Sequence, residues 1–325
     1  MGTKLLEIKD LKVHFDVYGG TLKVLNGVNL KMDEGEKVGL VGETGCGKTT
    51  TAKSILKILP IPPGRIIGGE ALFKGNDILR MRESDIREIH AHEISMIFQD
   101  PTASLNPVFT IGTQLIEAIK YSNLREGLSK KEKKARAIQA LKDVALPDPE
   151  RILENYPIQL SGGMRQRICI AMALAARSKL LIADEPTTSL DVTIQDQVLR
   201  LLGALVKEKD TSTIFITHSL GIVREWTQRV YVMYAGGMVE TARTDDLFDS
   251  PLHPYTQGLM NAIPKLTGEG IALGIEGRIP DYLNPPTGCR FHTRCQHVMD
   301  VCKKKQPPFF LTGKDHQVAC YLYKE

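Results

Sequence analysis

The chain has 325 residues, of which 42% are hydrophobic and 25% charged, and a formal net charge of +4. That length allows one large α/β domain with an appendage or two modest domains, and the composition excludes a low-complexity or disordered chain. So small a charge excludes the basic field of a dedicated nucleic-acid binder, and the cluster Lys130 to Lys134 reads as a solvated helix face.

The opening MGTKLLEIKDL has no apolar core with a small-residue cleavage site, and no run approaches the length that spans a bilayer. The expected location is therefore cytosolic, or peripheral on a membrane. Polar and apolar residues alternate over Leu5 to Phe15 and Lys23 to Met32, as in half-exposed antiparallel strands. Val38 to Val41 is continuously apolar instead, the pattern of a parallel strand buried on both faces.

Directly after it, Gly42-Glu43-Thr44-Gly45-Cys46-Gly47-Lys48-Thr49 fits G-x-x-x-x-G-K-[ST], and a helical run from Thr50 to Leu59 follows. The glycines let backbone N–H groups converge on phosphate oxygens, and the helix start adds partial positive charge there. Lys48 is placed to reach the β- and γ-phosphates of ATP, and Thr49 to offer a hydroxyl to Mg²⁺, which takes hard oxygen ligands. A chance glycine-rich turn gives the same string; the order strand, loop, helix argues against it. Candidate ATP-binding positions are Gly42, Thr44, Gly45, Cys46, Gly47, Lys48, Thr49 and Thr50. Cys46, so near a helix N-terminus, is expected to be unusually acidic.

Farther along, Glu70 to Lys74 alternates again, and residues 113–155 carry helical spacing with almost no strand signal, as an inserted helical lobe would. Leu180 to Ala183 is a second buried strand, ending in Asp184 and Glu185 where the open edge of such a sheet meets its ligand. Asp184 is a candidate Mg²⁺ ligand, and Glu185 a candidate base for the attacking water. Either carboxylate alone could be a helix cap; the phosphate loop gives the pair its chemistry. Thr213 to Thr217 is a third buried strand. Glycines and prolines punctuate residues 267–286 as a linker, and no internal repeat occurs.

Four of the six cysteines, Cys289, Cys295, Cys302 and Cys320, lie in the tail with spacing C-x5-C-x6-C-x17-C. Structural zinc sites pair ligands across short C-x2-4-C knuckles, and none is present. The wider spacing suits a 4Fe-4S cluster, whose negative charge Arg290, Arg294 and Lys303 to Lys305 could offset. Zinc, with His292 or His297 replacing one cysteine, is the alternative. Two disulfides would conflict with a reducing cytosol. The group would act as a staple for a small tail.

Leu160-Ser161-Gly162-Gly163-Met164-Arg165-Gln166-Arg167, with a helical run to Arg177, resembles the LSGGQ-type signature of ABC ATPases. Ser161 can cap the helix, while Gly162 and Gly163 leave N–H groups bare for a second anion site. Other motifs of that family occur in order. Phe15 matches the aromatic that stacks on adenine, Gln99 the glutamine that reaches Mg²⁺ and water, and His218 the histidine that hydrogen-bonds the γ-phosphate. Ser189-Leu190-Asp191 matches the loop that crosses the dimer interface. Met164 departs from the commoner Gln and Cys46 from the commoner Ser, at positions acting mainly through backbone groups.

Gln99-Asp100-Pro101-Thr102-Ala103-Ser104-Leu105-Asn106-Pro107 resembles the QDPxxSLNP segment of the oligopeptide and dipeptide importer subfamily. So do His253-Pro254-Tyr255-Thr256, Ala262-Ile263-Pro264, the run Pro286 to His292, and Arg294-Cys295. The resemblance implies an α/β fold: a RecA-like P-loop ABC nucleotide-binding domain over residues 1–255, with an antiparallel β subdomain and an inserted helical subdomain at about 100–165. A small Cys-rich C-terminal extension would occupy residues 256–325. It further implies ATP hydrolysis at a dimer interface, where Ser161, Gly162 and Gly163 of one subunit close over the nucleotide of the other. Two membrane permease subunits, an extracytoplasmic peptide-binding protein and a second ATPase, favoured as a heterodimer partner, complete the expected assembly at the cytoplasmic face of a prokaryotic membrane. Import of nickel or another small solute is the alternative within the subfamily. A soluble ABC ATPase of translation or DNA repair, which would carry two cassettes or a coiled-coil insertion, is the rival outside it, and a redox-sensing regulator is a third reading.

Overall fold

A computed structural model describes residues 3–123, 126–176, 178–188, 190–262 and 274–324. They form two compact units, Met1–Arg80 with Phe215–Glu325, and Met81–Ile214.

In the first unit, Lys4–Val17 lies between Gly20–Asp33 and Gly64–Phe73 in an antiparallel sheet, with Asn76–Asp77 at one edge. The alternation in sequence decides which face is buried: Leu6, Ile8, Leu11 and Val13 are fully buried, and so are Leu25 and Val28 across from them. Breaks in pairing register around Leu11 and Lys12 explain why the alternation is not strict.

The same unit holds a mixed sheet. Lys37–Val41 runs parallel to Arg229–Tyr234, which pairs antiparallel with Gly237–Arg243. Beyond that strand the tail adds Gln317–Val318 and Phe310–Leu311, so Glu240 is paired with Val318. The cysteine segment is thus hydrogen-bonded to the sheet that carries the phosphate loop. Phe291, from the heart of that segment, is buried among Val232, Tyr234, Leu247 and Tyr255. Burial of one such ring stabilises by roughly 1.5–3 kcal/mol. Glu240 is fully buried and accepts hydrogen bonds from the N–H groups of Leu252 and His253 and from His316 at 2.7 Å. Burial pushes its pKa up, but these partners outweigh burial and hold it below the ordinary carboxylate value.

In the second unit Ile94–Ile97 runs parallel to Leu180–Asp184, every residue of which is buried. The unit's helices include Glu83–His92, Ile111–Ser122, Lys130–Asp143, Pro149–Glu154, Gly162–Ala175 and Val192–Glu208; the first and Gly162–Ala175 pack on Ile94–Ile97, and the next three pack on one another. Their starts are written in the sequence. Thr110 accepts from the Thr113 N–H, and Ser129 and Glu132 form a reciprocal capping box. The expected helical stretch at 113–155 accordingly contains helices. Ser212–Ile216 is also wholly buried, and the chain passes from one unit to the other between its residues Ile214 and Phe215.

Candidate functional site

In the first unit the buried strand Lys37–Val41 ends at the loop, and the helix Lys48–Ile55 begins after it. Gly42 has φ 152°, and a Cβ there would lie 2.1 Å from the Met233 carbonyl oxygen, so only glycine fits. Gly47, at the helix N-cap with φ 110°, contributes no side-chain cap, which leaves the first-turn N–H groups for another acceptor. The Lys48 side chain is buried within the loop, donating to the carbonyl oxygens of Gly42 at 2.7 Å and Glu43 at 3.1 Å. Thr44 and Gly45 are exposed; Thr49 and Thr50 are half-buried on the first helical turn.

The expected acidity of Cys46 is not met. Its side chain is fully buried, with sulfur 3.9 Å from Lys48 Nζ, and burial pushes the thiol up by more than the lysine lowers it. Phe15 ends half-buried near the close of Lys4–Val17, its ring 3.2 Å from where a Cβ on Gly64 would sit. His218 is exposed two residues after Ser212–Ile216.

The second unit holds the carboxylates. Asp184 is the buried last residue of its strand, and Glu185 follows in a left-handed conformation with φ 44°. For a residue with a Cβ that backbone costs about 1–3 kcal/mol, a strain that tends to cluster at functional sites. Glu185 Oε2 accepts from Gln99 Nε2 at 3.2 Å and from the Thr188 hydroxyl at 3.0 Å. Two residues that the sequence singled out separately, Gln99 and Glu185, are thereby brought together.

Ser161 caps Gly162–Ala175 by accepting from the Met164 N–H at 3.3 Å, and both Ser161 and Gly162 are exposed. A Cβ on Gly163 would sit 2.8 Å from Ile194 Cγ2 and one on Gly162 3.3 Å from Leu190 Cδ2, so the signature packs closely against the 190–194 segment. Asp191 is exposed at the N-cap of Val192–Glu208. Ser189 lies outside the described residues, as do Arg177, Ile263, Pro264 and residues 267–273 of the expected linker.

The tail departs most from expectation. Cys289, Cys295, Cys302 and Cys320 line one small cavity with His253, His292 and His297. All four are free thiols, and burial pushes Cys289 up to about 11. Among the described residues no group of three or more His, Cys, Asp or Glu is placed to hold a metal ion, so neither the iron-sulfur nor the zinc expectation is met as a formed site. The arginines expected to offset a cluster's charge are committed elsewhere. Arg290 donates to the carbonyl oxygens of Ala235 and Lys23, and Arg294 pairs with Glu43 of the phosphate loop at 2.9 Å. Lys303 pairs with Asp300 at 3.3 Å.

Sequence reasoning missed the loop's partners farther along the chain. Tyr255, Tyr282 and Arg294 all hydrogen-bond to Glu43 or Gly45. Contacts across more than 200 positions leave no periodicity or spacing to read.

A glycine loop around a buried lysine, between a buried strand and a helix, defines a P-loop nucleotide-binding protein. The ABC transporter family matches residues 25–188, and the oligopeptide/dipeptide transporter C-terminal region matches residues 239–302. The oligopeptide transport ATP-binding protein OppD of Bacillus subtilis (strain 168) is 47% identical over 98% of this chain and 89% of its own length. The dipeptide transport ATP-binding protein DppD of the same strain is 45% identical over 98% of this chain and 95% of its own. Among solved structures, the ATP-binding cassette MJ0796 in a dimeric post-hydrolysis state with ADP and Pi superposes with a TM-score of 0.65 at 26% identity, covering 74% of this chain and 99% of that one. The chain belongs to the ABC transporter family as an ATP-binding cassette protein.

Proposed function

We propose that this chain is the ATP-hydrolysing subunit of an importer for dipeptides or oligopeptides, working through partner membrane permeases. The observation that carries this reading is the presence on one chain of the cassette and of a segment matching the oligopeptide/dipeptide transporter C-terminal region. Relatives named for oligopeptide and dipeptide transport over nearly the whole length support peptides over nickel, and a transporter over a soluble ATPase. Residues 1–255 would form the ATPase domain and 256–325 the extension. No helix among the described residues is long and apolar enough to cross a membrane; docking at the cytoplasmic face belongs to the same proposal and is supported by the peptide-transport relatives.

In this reading residues 42–50 cradle the phosphates of ATP, Lys48 pairs with their charge and Phe15 packs on the adenine. Thr49, Asp184 and Gln99 offer the oxygen ligands that suit Mg²⁺, which when bound neutralises phosphate charge. Glu185 takes the proton of the attacking water, Gln99 orients that carboxylate, and His218 hydrogen-bonds the γ-phosphate. Ser161, Gly162 and Gly163 serve the nucleotide of a second ATPase subunit, with Ser189, Leu190 and Asp191 at the same interface. A related but non-identical partner, two permeases and an extracytoplasmic peptide-binding protein complete the assembly.

Reconstitution of those components in vesicles tests this. Peptide uptake that requires ATP, and ATP turnover stimulated by the loaded binding protein, are expected. Uptake of nickel but not peptide, or turnover indifferent to permeases, would reject it.

For the tail we propose a 4Fe-4S cluster on Cys289, Cys295, Cys302 and Cys320. Four thiols around one cavity support it, and cluster thiolates stand farther apart than the ligands of a single zinc ion. The bound cluster would supply metal–thiolate bonds that staple the tail. Anaerobic purification of the full chain is expected to give about four iron and four sulfide per chain with broad visible absorbance. One zinc per chain, or no metal, would exclude it.

A further inference from the structure

Glu43 is the one acidic residue between Gly42 and Thr49. A carboxylate in a loop that receives a polyphosphate repels its ligand unless a cation neutralises it and fixes it aside. Arg294 does both. Its Nη1 donates to Glu43 Oε2 at 2.9 Å and its Nη2 to Oε1 at 3.1 Å, a two-pronged pairing suited to the planar guanidinium. The Arg294 side chain is only 4% exposed, and its other N–H bonds run to the carbonyl oxygens of Glu276 at 2.7 Å and Ile275 at 2.8 Å and to the Tyr234 hydroxyl at 3.4 Å. The same stretch of loop is held twice more. The Glu43 N–H donates to the hydroxyl of the wholly buried Tyr255 at 2.8 Å, and the Tyr282 hydroxyl donates to the Gly45 carbonyl oxygen at 2.8 Å.

We propose that Arg294, Tyr255 and Tyr282 are positioning residues of the nucleotide site, holding Glu43 and Gly45 so that the phosphate loop offers ATP its N–H groups and not a free carboxylate. Through Arg294 and Tyr282 the C-terminal extension would then be part of the ATP-binding apparatus. The inference rests on the reading that residues 42–49 hold ATP.

Equilibrium binding of a fluorescent ATP analogue with Mg²⁺ to the full chain tests it, alongside the thermal midpoint of each variant. Arg294→Gln is expected to weaken binding about tenfold or more, because a charge-assisted pair is lost and the carboxylate is released. Adding Glu43→Gln to that variant removes the offending charge and should restore binding to within about threefold of wild type. Tyr282→Phe deletes one hydroxyl at the surface and should cost about twofold to tenfold in affinity with an unchanged thermal midpoint. Were Arg294→Gln and Tyr282→Phe to bind as wild type does, or the double variant as weakly as Arg294→Gln alone, the positioning role would be refuted. Should Arg294→Gln not fold, Tyr282→Phe decides the question alone. Failure of the wild type to bind the analogue would instead overturn the ATP reading.

Discussion

Glu185→Gln is expected to slow ATP hydrolysis by the assembled transporter at least about a hundredfold while leaving ATP bound. The substitution keeps shape and volume, and its amide oxygen can still accept from Gln99, which now donates to Glu185 Oε2 at 3.2 Å. What disappears is the ability to take a proton from water. An isosteric change leaves the left-handed backbone at φ 44° and the contacts to Gln99 and Thr188 available, so the effect should fall on turnover and not on folding. Single-turnover phosphate release gives the rate, and crosslinking under ATP should capture a paired species that persists because it cannot hydrolyse its nucleotide. Full turnover in this variant would remove Glu185 from the role of base.

Lys48→Ala should weaken MgATP binding by about one to two orders of magnitude. Lys48 Nζ lies over the loop, held by the carbonyl oxygens of Gly42 and Glu43, where phosphate oxygens would offer it a stronger, charged partner. Arginine should not substitute well. The lysine is only 4% exposed, and a planar guanidinium needs more room and a different geometry. Calorimetric titration of the full chain measures the loss, and an affinity equal to wild type would show that the loop does not use this cation.

Much of the local structure around the candidate site was legible because its physics is local. Gly42 and Gly47 occupy backbone conformations that glycine favours, Ser161 caps the helix it precedes, and a buried strand ends at Asp184, all within windows of a few residues. Cys46 was misread because proximity to a helix start is visible in sequence, whereas the packing that buries its sulfur is not. The tail was least legible. Its cysteine spacing pointed to a metal site; the four cysteines line one cavity, yet among the described residues no group of three or more His, Cys, Asp or Glu is placed to hold a metal ion. Arg294, read as a neighbour of cysteines, instead spans 251 positions to Glu43, and no pattern in the intervening chain encodes that pairing. Gly237–Arg243 and Gln317–Val318 were likewise unanticipated as neighbours, since a two-residue strand carries no periodicity of its own.

That last pairing bears on how such a cassette can be shortened. A polypeptide ending before Phe310 would leave Gly237–Arg243 without Gln317–Val318 along its flank, and buried Glu240 without the imidazole of His316. The bared row of amides and carbonyls would invite pairing with other molecules, and the stranded carboxylate would favour unfolding. A shortened chain that keeps this sheet edge covered therefore retains Gln317–Val318 and His316, and an insertion is better tolerated at the Tyr18 hairpin tip, where the side chain is fully exposed.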